Sequence, residues 1–475
     1  MSRFRTSLLW ITLTSLHTWL FYNQSLGFNG LIFSVIMVIL ITWHHGLQSK
    51  RMWRFGAGIH LITAIAVFWH GTPMSIILYN FSGFALAGFV FMLQSSLLVV
   101  FLNGLAGSFA IGFFVRLAAF FSSLKANSSL LPFLSGFTLK RAYLYVAPAT
   151  VTAIFYFFYC IANPDFFLDL SFPETKIDFD LILYAVFGSI ILCPLIFPWG
   201  FKKITEWDLK NPDILKRIRV KREGINKMGL MHENFQGVIM FFMLNILILF
   251  FICFNTLQIF IPSLTKYQSN HSEQVHQGFD MLIMSIVAAI LLIMYYFREN
   301  QNFYSRKTRL VKLATAWIVL NSFLAMLTCY KNILYVGAFG FTYKRIWVFI
   351  GLILIGIGLY LTLMKIRHLR TNWYLIRQNT WILYFTLTSY SLVDWDRFIT
   401  WYNPNYAQEL DFRYIADLGK TKLPYLKELA EMDGSRVESY KVEINSMVKA
   451  IDFPVQTWQS QTLDNQWLKG KLIEP

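Results

Sequence analysis

Residues 235–261 read FQGVIMFFMLNILILFFICFNTLQIFI, twenty-seven residues in a row without a charged side chain. At 1.5 Å per residue such a run makes a helix of about 40 Å, longer than the ~30 Å hydrocarbon core of a bilayer. A soluble helix of this length keeps a charged face, and this one has none. Its outer surface therefore calls for lipid. The whole chain agrees: of 475 residues 56% are hydrophobic and 14% charged, with a mean hydropathy of +0.48. Soluble domains carry about 25% charged residues, so there is too little charge here to cover the surface of soluble domains.

Working outward from 235–261, comparable runs lie at 7–22, 28–45, 55–70, 74–93, 142–162, 180–199, 277–297, 312–329, 346–364 and 378–394, which makes eleven. The expected fold class is all-α: a polytopic integral membrane protein with about eleven transmembrane helices and a small helical extracytoplasmic C-terminal tail. Residues 1–394 form the transmembrane domain and 395–475 the tail. The apolar run after MSRFR lacks a small-x-small cleavage pattern and reads as an uncleaved first span. Residues 96–122 are apolar too, but Asn103, Gly104, Gly107 and Gly112 interrupt them and Arg116 ends them. They read as a re-entrant or interfacial segment, because a span there would reverse the charge pattern of every later loop.

That pattern sets the orientation. The formal net charge is +16. With the N-terminus inside, the cytoplasmic segments hold 27 basic residues and the outer loops 5. Lys and Arg accumulate on the cytoplasmic side, so the N-terminus is cytoplasmic and the tail extracytoplasmic. The same rule accounts for the basic excess without nucleic acid. The longest basic stretch, 200–233, contains Lys216, Arg217, Arg219, Lys221 and Arg222. It reads first as a topogenic charge run and second as a contact for anionic lipid headgroups.

No motif of soluble catalysis is present: there is no Walker loop, dinucleotide fingerprint, GxSxG or HExxH. Cys160, Cys193, Cys253 and Cys329 sit in or beside apolar runs without a CxxC pair, and read as small buried residues. His44 and His45 read as an interfacial polar pair, since a metal needs further ligands. No cofactor or metal is expected. Asn245, near the middle of its span, reads as a hydrogen-bonding partner across helices.

The polar residues that invite a functional reading share one membrane face by span parity. His276 and Asp280 are four apart on a helix face at the start of the eighth span. Lys344 and Arg345 precede the tenth, against the positive-inside rule, and Asp394 and Asp396 close the eleventh. Opposite charges in a low-dielectric interface tolerate desolvation only when paired. Arg345 is therefore expected to pair with Asp280 or with an acid at 394–396, under a lid formed by the tail. This cluster is the candidate ligand- or partner-binding site; no catalytic residue stands out. In the tail, Ser435 and Glu438 have capping-box spacing. Val437, Tyr440, Ile444, Met447 and Ile451 then form one apolar stripe.

Several segments in order resemble a known family. They are LHTWLFYNQSLGFN near the start, LNILILFFICFNTLQIF in the seventh span, VHQGF, YVGAFGFTYKRIWV, and LDFRYIADLGKTKLPYLKEL after DRFITWYN. Together they resemble the bacterial multi-span membrane proteins grouped as domain of unknown function 4173, with its relative 4153. The resemblance covers most of the chain and implies a bacterial cytoplasmic-membrane protein, without an activity. It implies Glu where this chain has Gln277. Three roles remain open: transport, an accessory or sensing role in which the tail meets another envelope protein, and a membrane-embedded enzyme acting on a lipid-linked or small substrate. Few polar residues sit at midplane and no convergent catalytic set is visible, so a transport-like or accessory role ranks above catalysis.

Overall fold

The computed structural model describes residues 2–92, 95–108, 152, 178–217, 229–260, 271–432, 434–451 and 457–472. Among them every regular element is helical, apart from one antiparallel bridge between Ile214 and Arg370. Two compact units emerge. One comprises Met1–Asp208 and Gln456–Thr462, the other Leu209–Val455 and Leu463–Pro475.

The first unit contains α1 (Ser2–Phe21), α2 (Phe28–His45), α3 (Arg51–Trp69), α4 (Pro73–Phe91), α5 (Leu97–Ser108), α6 (Phe179–Ile196) and α7 (Lys202–Lys210). The second contains α8 (Leu230–Phe260), α9 (His271–Tyr296), α10 (Thr308–Phe339), α11 (Tyr343–Arg367) and α12 (Asn372–Ser391). The short helices α13 (Trp395–Tyr406), α14 (Phe412–Ala416), α15 (Leu423–Glu431), α16 (Lys441–Lys449) and α17 (Leu463–Leu472) follow in the same unit.

Seven described helices, α2, α3, α4, α6, α8, α10 and α11, are long and apolar enough to cross a membrane. They match seven of the eleven expected runs. Runs 7–22 and 378–394 fall within or near the helices α1 and α12, which are more polar, and 277–297 falls on α9, whose apolar stretch is 283–296. Run 142–162 lies outside the described residues. On α8 the division of side chains is plain: Phe241, Ile248 and Ile252 are buried against neighbouring helices, while Phe242, Leu247, Phe250 and Phe254 are exposed. An exposed apolar face of this size suits hydrocarbon and not water.

Gly104 and Gly107, expected to interrupt 96–122, lie within a helix, and Gly112 lies outside the described residues. Residues 97–108 form an uninterrupted helix, α5, and 109–122 lie outside the described residues. A Cβ at Gly88 would overlap the Val100 carbonyl, and a Cβ at Gly104 would overlap the Phe84 carbonyl. These glycines let α4 and α5 meet backbone to backbone, the usual small-residue contact of membrane helices. The twelve described residues of α5 rise about 18 Å, and the remainder of the segment expected to re-enter or lie in the interface falls outside the described residues. Asn103, buried, anchors it: its Nδ2 donates to Thr205 Oγ1 (2.9 Å) and its Oδ1 accepts from the Phe201 N–H (2.9 Å). Asp208, fully buried, accepts from Ser95 Oγ and from the Ser96 N–H, both at 2.6 Å.

In the second unit, Asn245 Nδ2 donates to the Leu313 carbonyl (2.9 Å), the cross-helix bond expected of it. Lys365, only 1% exposed, donates to the Phe297 carbonyl (2.6 Å) just past the end of α9. Arg298 pairs with Glu233 (3.0 Å), and Arg377 with Asp213 (2.6 Å). His44 and His45, in the first unit, meet edge to face, with His45 bonded to the Leu195 carbonyl (2.9 Å). Among the cysteines, Cys193 is buried and Cys329 partly so, but Cys253 is exposed on α8; Cys160 lies outside the described residues.

Candidate functional site

The turn before α11 is built around Gly340, whose φ of +74° favours glycine and whose Cβ would overlap the Asn403 side chain. Asn403, on α13, clamps the turn by accepting from the Phe341 N–H (2.6 Å) and donating to the Phe341 carbonyl (2.9 Å). Thr342 caps α11, its hydroxyl accepting from the Arg345 N–H.

Arg345 is 7% exposed. Its Nη1 donates to the Phe339 carbonyl (2.9 Å) and to the Gly340 carbonyl, and its guanidinium lies over the Tyr335 ring at 4.3 Å. These acceptors are the last carbonyls of α10. Such groups lack intrahelical partners and carry the negative end of the helix dipole. The cation that broke the positive-inside rule is therefore a helix C-terminal cap. The expected pairing with an acid at 394–396 is not what holds it: none of its described partners is a carboxylate. Lys422 repeats the device on the tail: buried, it donates to the Leu418 carbonyl (2.6 Å) and to the Ala416 carbonyl. Burial pushes its ammonium below the usual lysine range.

The two aspartates organise the same end of the unit. Asp394 caps α13 by accepting from the Arg397 N–H (3.0 Å). Asp396 accepts from the Tyr343 hydroxyl (2.7 Å) and from the Gly419 N–H (3.1 Å), joining α11 to the tail. The Tyr414 hydroxyl accepts from the Tyr343 N–H (2.9 Å), and burial raises the Tyr414 phenol above its ordinary value. Of the six expected site residues, Asp396 is tied to Tyr343, the chain neighbour of Lys344 and Arg345. Lys344 is exposed. His276 and Asp280 occupy the first turns of α9, with side chains outside the description.

Beside this junction opens a groove of about 670 Å³. Its walls include Asp394 and Arg397 with Phe398, Trp401, Tyr425 and Trp467, and its charged rim carries Lys427, Glu428, Glu431 and Lys471. Arg397 holds the floor: it pairs with Asp464 (3.1 Å) and Asp394 (3.4 Å) and lies over the Trp467 ring at 4.2 Å. Leu426 and Leu429 of α15, a helix that lines the groove, join Phe412, Ile415, Val437 and Ile444 in a small apolar core. The expected stripe supplies Val437 and Ile444 to this core, and Tyr440 stacks on Phe412 at 3.9 Å. The capping box does not form as expected. Glu438 accepts from the Gly434 N–H (2.9 Å), a 3₁₀ turn follows, and α16 begins only at Lys441.

Sequence reasoning missed the groove residues. Trp401, Trp467, Glu428 and Glu431 stand on short helices far apart in the chain, and only Asp394 signalled the place. No curated protein and no solved structure matches the chain. The resemblance to the 4173 group finds no support, whereas that to its relative 4153 does. The family described as "Domain of unknown function (DUF4153)" matches residues 8–429, most of the chain, and the chain belongs to it.

Proposed function

We propose that this multi-pass membrane protein has an accessory or sensing role in the bacterial envelope, exercised through a ligand-binding groove on its extracytoplasmic face. The groove between α13, α15 and α17 carries the reading. Trp401 is exposed and Trp467, half-buried with Arg397 over one face, stands in the same groove among carboxylates and ammonium groups. Flat apolar faces with convergent acceptors and donors suit a ligand that is itself apolar on one face and hydroxylated at its edge, namely a saccharide unit. The 27-to-5 distribution of basic residues supports placing this end of the unit outside. The opposite, basic face then meets the cytoplasmic leaflet, where anionic headgroups are the favoured contact.

Titration of the purified protein in detergent with oligomers of N-acetylglucosamine tests this, read by tryptophan fluorescence. Saturable quenching is expected, weakened at least tenfold by Trp467→Ala and further by the Trp401→Ala, Trp467→Ala double variant. Absence of saturable quenching in the wild type, or undiminished binding by a well-folded double variant, overturns the reading.

A further inference from the structure

The first unit holds a second cavity, of about 360 Å³, lined by residues far in sequence from those of the groove. It lies among α1, α2, α3, α4, α5 and α6, four of which are long and apolar enough to cross a membrane. Its walls are mainly aromatic and aliphatic: Phe21, Phe33, Phe84, Tyr184 and Phe187 contribute faces or edges. The described lining includes no Asp, Glu, Lys or Arg. A cavity of this kind within hydrocarbon takes an uncharged guest, since a charge there would lack a counter-ion.

Polar groups on the wall decide what the guest must offer. The hydroxyls of Ser34 and Tyr79 lie 3.1 Å apart and both reach the Gly30 carbonyl, at 2.7 and 3.3 Å, so the protein satisfies them itself. His60 is different. It is 2% exposed, its ring stacked on Tyr79 at 5.1 Å, and its Nδ1 lies 2.7 Å from Ser82 Oγ. Ser82 gives its own proton to the Tyr79 carbonyl (2.7 Å). Ser82 Oγ also lies 2.8 Å from Thr63 Oγ1, whose own proton goes to the His60 carbonyl (2.8 Å). With the serine proton on the Tyr79 carbonyl, the serine oxygen accepts from His60 and the imidazole is the Nδ1–H tautomer. Nε2 is left with a bare lone pair and no partner among the described residues. A buried acceptor without a donor is destabilising, a deficit that a donor-bearing guest removes. His17, stacked on Tyr184 at 5.5 Å and also unpartnered at Nδ1, lines the same cavity.

We infer that this cavity is a binding site for an uncharged, lipid-soluble molecule bearing a hydroxyl, which His60 Nε2 accepts. The hydroxyl belongs either to an isoprenoid-type alcohol or to a phenolic ring of the quinol type, and the two share this recognition chemistry.

The test is saturable binding of radiolabelled farnesol to the purified protein in detergent, with unlabelled competitors. Farnesol and decylhydroquinone are expected to compete, and the tighter of the two identifies the body of the guest. Farnesyl methyl ether, which keeps the chain and loses the donor, is expected to compete at least tenfold less well than farnesol. His60→Phe keeps the stacked ring and loses the acceptor. It is expected to weaken farnesol at least tenfold and to stop distinguishing alcohol from ether. Gly83→Leu provides a second variant that does not depend on the histidine. A Cβ at Gly83 meets only His60 Cε1, at an ordinary 3.7 Å, so the side chain fills the cavity without displacing backbone. It is expected to abolish binding in a monodisperse protein. The inference is overturned if neither farnesol nor decylhydroquinone binds saturably to the wild type. It is equally overturned if monodisperse Gly83→Leu binds as the wild type does, or if His60→Phe still prefers the alcohol tenfold.

Discussion

Arg345→Ala is expected to lower the thermal unfolding midpoint of the detergent-purified protein by roughly 6–28 °C. The guanidinium satisfies the carbonyls of Phe339 and Gly340 and covers the Tyr335 ring, all in a site only 7% exposed. Removing it strands two acceptors, each destabilising by roughly 1–3 kcal/mol, and forfeits a cation–π contact of ~1 kcal/mol. Each kcal/mol moves the midpoint by roughly 2–4 °C in a unit of this size. Arg345→Lys retains one donor and should recover part of the loss. Saccharide binding in the groove should survive in protein held below the lowered midpoint, because Arg345 does not line it. An unchanged midpoint would refute the cap. A normal midpoint with lost binding would instead make Arg345 a ligand contact.

Gly104→Val is expected to prevent assembly of the first unit. Its Cβ would overlap the Phe84 carbonyl and approach the Gly88 N–H, and backbone atoms cannot move aside as a side-chain tip can. The penalty should exceed the ~1–3 kcal/mol typical of an overfilled core. Size-exclusion chromatography should show aggregate or no recoverable protein. Gly58→Val is the control: nothing lies within 4 Å of a Cβ there, and β-branching alone changes helix propensity little. Equal yields of the two variants would mean that α4 and α5 do not meet backbone to backbone.

These two residues also show how much the sequence discloses. The run at 235–261 declared a membrane helix because hydrocarbon demands an uncharged surface, and Asn245 within it declared a cross-helix bond because a polar group there needs a partner. Gly104 and Arg345 were visible as exceptions, but their meaning depended on what packs against them. Gly104 looked like an interruption, yet it is a contact surface, and only the position of Phe84 tells the two apart. Arg345 looked like half of an ion pair. The carbonyls that it caps become available only because Gly340 turns the chain with a positive φ. Span parity put Lys344, Arg345, Asp394 and Asp396 on one expected face, and the structure joins the neighbouring Tyr343 to Asp396. It said nothing about Trp401 or Trp467, because short amphipathic helices show which face is apolar but not which lines a groove. His60 carried no signal at all: a single histidine in an apolar run gains meaning only from the Ser82 bond that leaves its other nitrogen bare.

The central claim, a groove of the second unit open to the extracytoplasmic side, is most directly tested by labelling. Lys427→Cys, on the groove rim, is placed in a chain whose Cys160, Cys193, Cys253 and Cys329 are replaced by Ser. A membrane-impermeant maleimide is then applied to intact spheroplasts and, separately, to inverted vesicles. Labelling in spheroplasts with protection in inverted vesicles is the predicted result; labelling in inverted vesicles with protection in spheroplasts would contradict it.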